Sequence, residues 1–178
     1  EYTLPFFNNN ELEEDCDDGS IVAGDADRNA ENQRLTMIVA SVYLYELTGD
    51  ETYHDFFKNH FDEAPTFDAD FWGADDVFLQ DVLMRYATSD YGEALIKDVI
   101  LLSATVDVNN NYNGFHRWSE SHLYRAFMPE WSHYWGSNRP RAGYGNLNMT
   151  MAMNEIGNDI EGVKRKATEH LHYFHGIN

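Results

Sequence analysis

Aromatic rings crowd one segment of the chain, where Tyr112, Phe115, Trp118, Tyr124, Phe127, Trp131, Tyr134 and Trp135 stand between residues 112 and 135. Three of the four tryptophans lie there, and the fourth, Trp72, falls in the corresponding loop of the preceding part of the chain. Interleaved with them are His116, Arg117, Glu120, His122, Arg125 and His133, with Arg139 just beyond. A pyranose ring has a flat C–H face and a rim of hydroxyls, so aromatic platforms beside polar and charged groups suit a carbohydrate. From this pattern His116, Trp118, Arg125 and Trp131 are candidate substrate-binding residues. The alternative is that the aromatics form a small core beneath a long loop. Stacking on single-stranded nucleic acid uses similar residues, but the formal charge of −19 repels phosphate backbones and anionic lipid. Neither nucleic acid nor a membrane is an expected partner.

Other chemistry is weaker. His172 and His175 share a helical face in the run His170 to His175, a pattern that by itself reads as histidines packing on or projecting from a final helix. The run Gly24-Asp25-Ala26-Asp27-Arg28-Asn29 resembles a calcium loop but has Ala30 where the loop needs Gly and Thr36 where it needs Glu. Ser119 and Ser121 lie near His116 and His122 without an orienting third group. The single cysteine, Cys16, excludes an internal disulfide and a cysteine zinc cage, and its acidic neighbours disfavour a thiolate. No metal and no cofactor is expected on these grounds.

The elements that must position the aromatics read as helices. A chain of 178 residues with 43% apolar content builds an ordinary core. Residues 1–27, with a dense acidic run from Glu11 to Asp18, are read as an irregular entry segment, and the first residue, Glu1, fits a chain processed or cut from a longer one. Apolar spacing predicts a helix from Asn32 to Leu47, apolar nearly all round, with Gly49 at its C′ position and Asp50 capping a second helix through Tyr53, Phe56, Phe57 and Phe61. A second hairpin follows: one helix after Asp75 and Asp76 displaying Phe78, Leu79, Val82, Leu83 and Tyr86, then one started by Ser89 and Asp90 with Ala94, Leu95, Val99, Leu102 and Val106. Residues 107–134 read as a long connection. A third hairpin runs from Asn138 to Glu155, stopped by Gly157, and from Ile160 to Phe174. No segment reads as a strand. The expected fold is all-α, three helical hairpins forming about half of an (α/α) toroid, a six-hairpin barrel.

Three segments resemble glycoside hydrolase family 9, the family of cellulases and endoglucanases. Leu44-Tyr45-Glu46-Leu47-Thr48-Gly49-Asp50-Glu51-Thr52-Tyr53 is similar to its Leu-Tyr-x-x-Thr-Gly-Asp-x-x-Tyr hairpin, and Trp135-Gly136-Ser137-Asn138 to its Trp-Gly-Ser-Asn helix start. The stretch from Ala167 through Leu171-His172-Tyr173-Phe174-His175-Gly176-Ile177-Asn178 is similar to Ala-x-x-x-Leu-x-Tyr-x-x-Gly-x-Asn. In order and spacing these cover residues 28–178.

The resemblance implies a partial α/α-toroid catalytic domain over 1–178, the C-terminal half of an inverting β-glycosidase acting on β-1,4-linked glucan. In such an enzyme one carboxylate activates water while a carboxylic acid protonates the leaving oxygen. The family takes its base from an early Asp-Ala-Gly-Asp segment and its acid from a Glu after a His-His-Arg motif. Val22-Ala23-Gly24-Asp25 departs from the first at Val22, and the second does not occur here. No catalytic residue is therefore expected in this chain, whose share would be substrate binding through Trp72, Trp135 and Arg139. The family's calcium site uses an Asp-Glu pair where Leu35 and Thr36 stand, so calcium is not matched. Tyr124-Arg125-Ala126-Phe127-Met128-Pro129 is similar to marine bacterial members, some of them exo-β-D-glucosaminidases acting on chitosan oligosaccharides, which is the alternative activity. A non-catalytic glycan-binding domain is a further alternative, and an α/α-toroid epimerase or lyase with His116, His122 and His133 at its centre another. Half a toroid needs the remainder of its polypeptide, or another chain, over its open apolar faces. The source implied is bacterial, with a secreted, periplasmic or cytoplasmic location all compatible.

Overall fold

The computed structural model describes residues 30–68, 72, 77–110, 125–126, 133 and 135–176. Among the described residues the chain is all-α, with no strand. It divides into two compact units, Glu1–Ala64 and Pro65–Asn178.

The first unit is a helical hairpin of α1 (Ala30–Thr48) and α2 (Glu51–His60), closed by a 3-10 turn at Phe61–Glu63. Its reversal is set by local chemistry. Gly49 takes φ +68, a conformation that glycine enters without a Cβ penalty, and donates to Tyr45 O at 2.8 Å. Asp50 then accepts from Thr52 N at 3.0 Å as the cap of α2. Tyr45 spans the turn, its hydroxyl donating to Glu51 Oε1 at 3.2 Å and its ring stacked 4.5 Å from His54. Ile38, Val42, Phe56 and Phe57 fill the core, whereas Tyr43 and Leu47 are exposed. The all-round apolar pattern of α1 thus overstated its burial.

The Thr52 amide also holds the Asp50 carboxyl below its ordinary 3.8. Because the folded value is the lower one, the cap's contribution is complete above the unfolded pKa and is lost as pH falls through the folded one. Asp50→Asn is expected to keep the cap and flatten this acid limb, and Asp50→Ala to lower the melting temperature by a few degrees at neutral pH. Thermal melts between pH 2 and 7 check this, and identical acid limbs in parent and Asn variant would refute it.

The second unit holds a single helical turn, α3 (Pro65–Asp68), and two hairpins, α4 (Val77–Thr88) with α5 (Ala94–Asn110) and α6 (Asn138–Met153) with α7 (Ile160–His175). Helix α4 packs on both α5 and α6. The link to α6 includes Asp81, which accepts from Asn146 Nδ2 at 3.2 Å and Thr150 Oγ1 at 3.0 Å. Three expectations change here. Helix α5 starts at Ala94, because Ser89 instead makes the turn by accepting from Gly92 N at 3.1 Å, and α5 runs on through Asp107 to Asn110. The face of α5 that packs carries Ile96, Ile100, Ala104 and Val108, so Leu95, Val99, Leu102 and Val106 point outward, as does Phe78 of α4. Helix α6 ends in a Schellman motif, with Ile156 N bonded to Met151 O and Glu155 N to Ala152 O. Glu155 itself takes the left-handed position at φ 57, two residues before Gly157.

Candidate functional site

Trp135 opens the turn that leads into α6, and its side chain is 94% exposed. The next residue, Gly136, takes φ +85 and its carbonyl accepts from Arg139 N at 3.0 Å, which starts the helix. Trp135 therefore precedes α6, and the four-residue spacing to Arg139 does not place the two on one helical face. Arg139 is exposed on the first turn of α6. An indole held in the open on an ordered turn offers both faces to a ligand.

Trp72 has the opposite environment. Its side chain is fully buried, its Nε1 donates to Ser103 Oγ at 3.0 Å and its backbone N donates to Asp107 Oδ2 at 2.8 Å. Ser103 and Asp107 lie one turn apart on α5, so this ring is an anchor in the core of the second unit. A ring without exposed area presents no platform to a sugar, so Trp72, a substrate-binding candidate from the sequence, does not serve as one in this structure. His116, Trp118 and Trp131 lie outside the described residues.

Arg125 and Ala126 are described within the aromatic segment. Arg125 is exposed and takes φ 55, whereas Ala126 is fully buried. Two buried cations of the last hairpin end on their carbonyls: Lys166 Nζ donates to Arg125 O at 2.6 Å and Arg141 Nη1 donates to Ala126 O at 2.8 Å. The Lys166 ammonium also meets Glu169 Oε2 at 2.7 Å, and the Arg141 guanidinium lies 3.8 Å from the Tyr173 ring centroid. Burial draws the Lys166 pKa below its ordinary value, with Arg165 and Arg125 adding repulsion and Glu169 opposing the shift. Burial likewise lowers that of Arg141, against the pull of Tyr173.

These two cations were not singled out in the sequence, although a signal existed. Val163, Lys166, Ala167 and His170 recur at i, i+3, i+4 and i+7, which places Lys166 on the buried stripe of α7 while its neighbours Lys164 and Arg165 are exposed. A largely apolar groove of about 330 Å³ lies between α6 and α7, with Ala142, Gly145, Met149, Ala167, Leu171 and Phe174 in its lining. Gly145 permits the close approach, since a Cβ there would stand 3.0 Å from His170 Cβ. His170 is buried and donates through Nδ1 to Lys166 O at 2.9 Å, a bond that fixes its tautomer because the carbonyl can only accept. His172 and His175 belong to the outer part of α7, and no cluster of three metal-ligating side chains occurs among the described residues. No helix described is long and apolar enough to cross a membrane. No protein-family model, no curated protein and no solved structure matches this chain.

Proposed function

We propose that this chain is the substrate-binding part of an inverting β-glycosidase resembling glycoside hydrolase family 9, acting on β-1,4-linked glucan, with its hairpins forming about half of an (α/α) toroid. The observation that carries this reading is the Trp135 indole, almost wholly exposed on a turn ordered by Gly136 and followed by Arg139. Water against a large apolar ring is unfavourable by roughly 25 cal/mol per Å², and a pyranose face removes that contact while Arg139 meets hydroxyls. The exposed stripe Leu95, Val99, Leu102 and Val106 on α5, together with Leu171 and Phe174 on α7, supports further helices covering these faces, from the remainder of the same polypeptide or from another chain.

Calorimetric titration of a β-1,4-gluco-oligosaccharide into the 178-residue chain tests the reading. Measurable binding is expected, weakened about tenfold by Trp135→Ala, the equivalent of roughly 1.4 kcal/mol of stacking and packing, with no release of reducing ends. Absent binding, or binding that Trp135→Ala leaves unchanged, would overturn the carbohydrate role. Hydrolysis by this chain would overturn the placement of the catalytic carboxylates elsewhere. Preference for a glucosamine oligomer would favour the chitosan-directed alternative. Sedimentation of the same sample is expected to show self-association, and a strictly monomeric chain at high concentration would count against cover by another copy.

A further inference from the structure

Helix α5 leaves a narrow apolar line uncovered. Leu95, Val99, Leu102 and Val106 are 79%, 46%, 63% and 41% exposed, and they recur at steps of four, three and four residues. That is the 3.5-residue period of a coiled-coil seam, with leucine at the d positions and β-branched valine at the a positions. These residue types carry a preference beyond being apolar, because valine at a with leucine at d favours two parallel helices over larger assemblies. The opposite side of α5 is already committed, since Ile96, Ile100, Ala104 and Val108 are buried. A second helix laid on the line therefore meets one that is folded in advance, which lowers the ordering cost of so short a seam.

We propose that the exposed line of α5 pairs with the same line on a second copy of this chain, the two α5 helices running parallel about a two-fold axis along them. The proposal stands apart from the carbohydrate reading and assigns the cover of one apolar face. Each line presents roughly 300–400 Å² of apolar surface, so two of them with their polar flanks reach about the 1,000 Å² at which specific, reversible interfaces begin. The flanks are compatible with the pairing. Asp98, exposed beside the seam, occupies a g position and falls opposite Ser103 of the second copy, not opposite another carboxylate. At longer range the formal charge of −19 on each copy opposes their approach. Contact is thus made by apolar surface against a repulsive background, and salt, which screens the repulsion, strengthens it.

Sedimentation equilibrium of the 178-residue chain tests this. A dimer is expected, tightened several-fold as sodium chloride rises from about 0.05 to 0.5 M. Leu95→Gln and Leu102→Gln are each expected to weaken it about tenfold. Both side chains are exposed, so dilute samples of these variants are expected to keep the parent melting temperature. Leu171→Gln removes another exposed leucine, from α7, and is expected to leave the dimer intact. In a Cys16→Ser background, Val99→Cys is expected to form an intermolecular disulfide under mild oxidation, since a positions face each other across the axis. A chain that stays monomeric, or a dimer that both glutamine variants on α5 leave unchanged, overturns the proposal. Dissociation in salt overturns its apolar basis, and loss of the dimer in Leu171→Gln overturns its placement on α5. A dimer that Val99→Cys fails to link overturns the parallel register. Oligosaccharide binding enters none of these readouts, so this proposal and the carbohydrate reading fail separately.

Discussion

Replacing Gly157 by alanine is expected to destabilise the second unit by about 2–4 kcal/mol, from two causes that act together. The first is conformational: Gly157 sits at φ +98, which L-residues rarely adopt. The second is steric, because a Cβ built there collides with Cγ1 of Val108, a side chain without exposed area, and comes within 3.3 Å of Asn109 Oδ1. Val108 is packed on α5 and cannot swing aside, and Asn109 Oδ1 is already engaged by Asn158 N at 2.7 Å. Relief of the collision therefore pulls the turn away from α5 and loosens that bond. Gly49→Ala gives the comparison, since Gly49 has φ +68 but nothing within 4 Å of a built Cβ. Strain alone acts there, and a smaller loss of about 1 kcal/mol is expected. Urea denaturation of both variants checks the pair. Equal losses would show that the contact with Val108 is irrelevant, and a parent-like midpoint for Gly157→Ala would refute the account.

Trp72→Ala is expected to have a comparable or larger effect, about 3–5 kcal/mol, because it empties the site of a fully buried indole. Two hydrogen bonds make the position more than a volume. The Nε1 bond to Ser103 is lost on substitution, while the backbone bond to Asp107 survives in name but loses its packing. Trp72→Phe retains most of the ring and is expected to cost less, the smaller volume plus about 1 kcal/mol for the missing bond. Ser103→Ala removes the acceptor and leaves Nε1 buried alone, for about 1–3 kcal/mol. Thermal and denaturant unfolding rank the three. If the phenylalanine and alanine variants were equally destabilised, the ring's packing would not be the main contribution. Near-parent stability of Trp72→Ala would refute its burial altogether.

The helical hairpins were legible because their turns are written in residue chemistry. Gly49 before Asp50 states a left-handed C′ residue and a cap, and both are observed. The same residues carry part of the resemblance to the cellulase family, and what the structure shows of them is a turn geometry. Which face of α5 packs was not legible. Ile96 and Ile100 alternate with Leu95 and Val99, and hydropathy cannot choose between two apolar faces when the partner helix is unknown. Gly157, expected as the stop, has a positive φ, but the stop itself falls on Glu155 at φ 57, followed by the buried Ile156.

At the candidate site, aromatic density pointed to a segment but not to which rings face water. Trp72 and Trp135 are the same residue type with opposite surroundings, one bonded to Ser103 and Asp107 from α5 and one on an open turn. That difference arises from contacts across tens of residues, which local spacing does not encode. Lys166 was hidden for a related reason: in Lys164-Arg165-Lys166 the charge dominates composition, and only the helical phase separates the buried member.

The succession of hairpins also bears on how quickly the native state is reached. Among the described residues the two helices of each hairpin pack on each other, and in the second unit α4 also packs on α6, bridged by Asp81. Pairs so close along the chain enclose short loops, and topologies of that kind collapse in microseconds to milliseconds rather than seconds. The meeting of Asp81 with Thr150 closes a much longer stretch of chain and is expected to form later. A nascent polypeptide emerging from the ribosome can consequently complete its earlier hairpins before the final one has been synthesised.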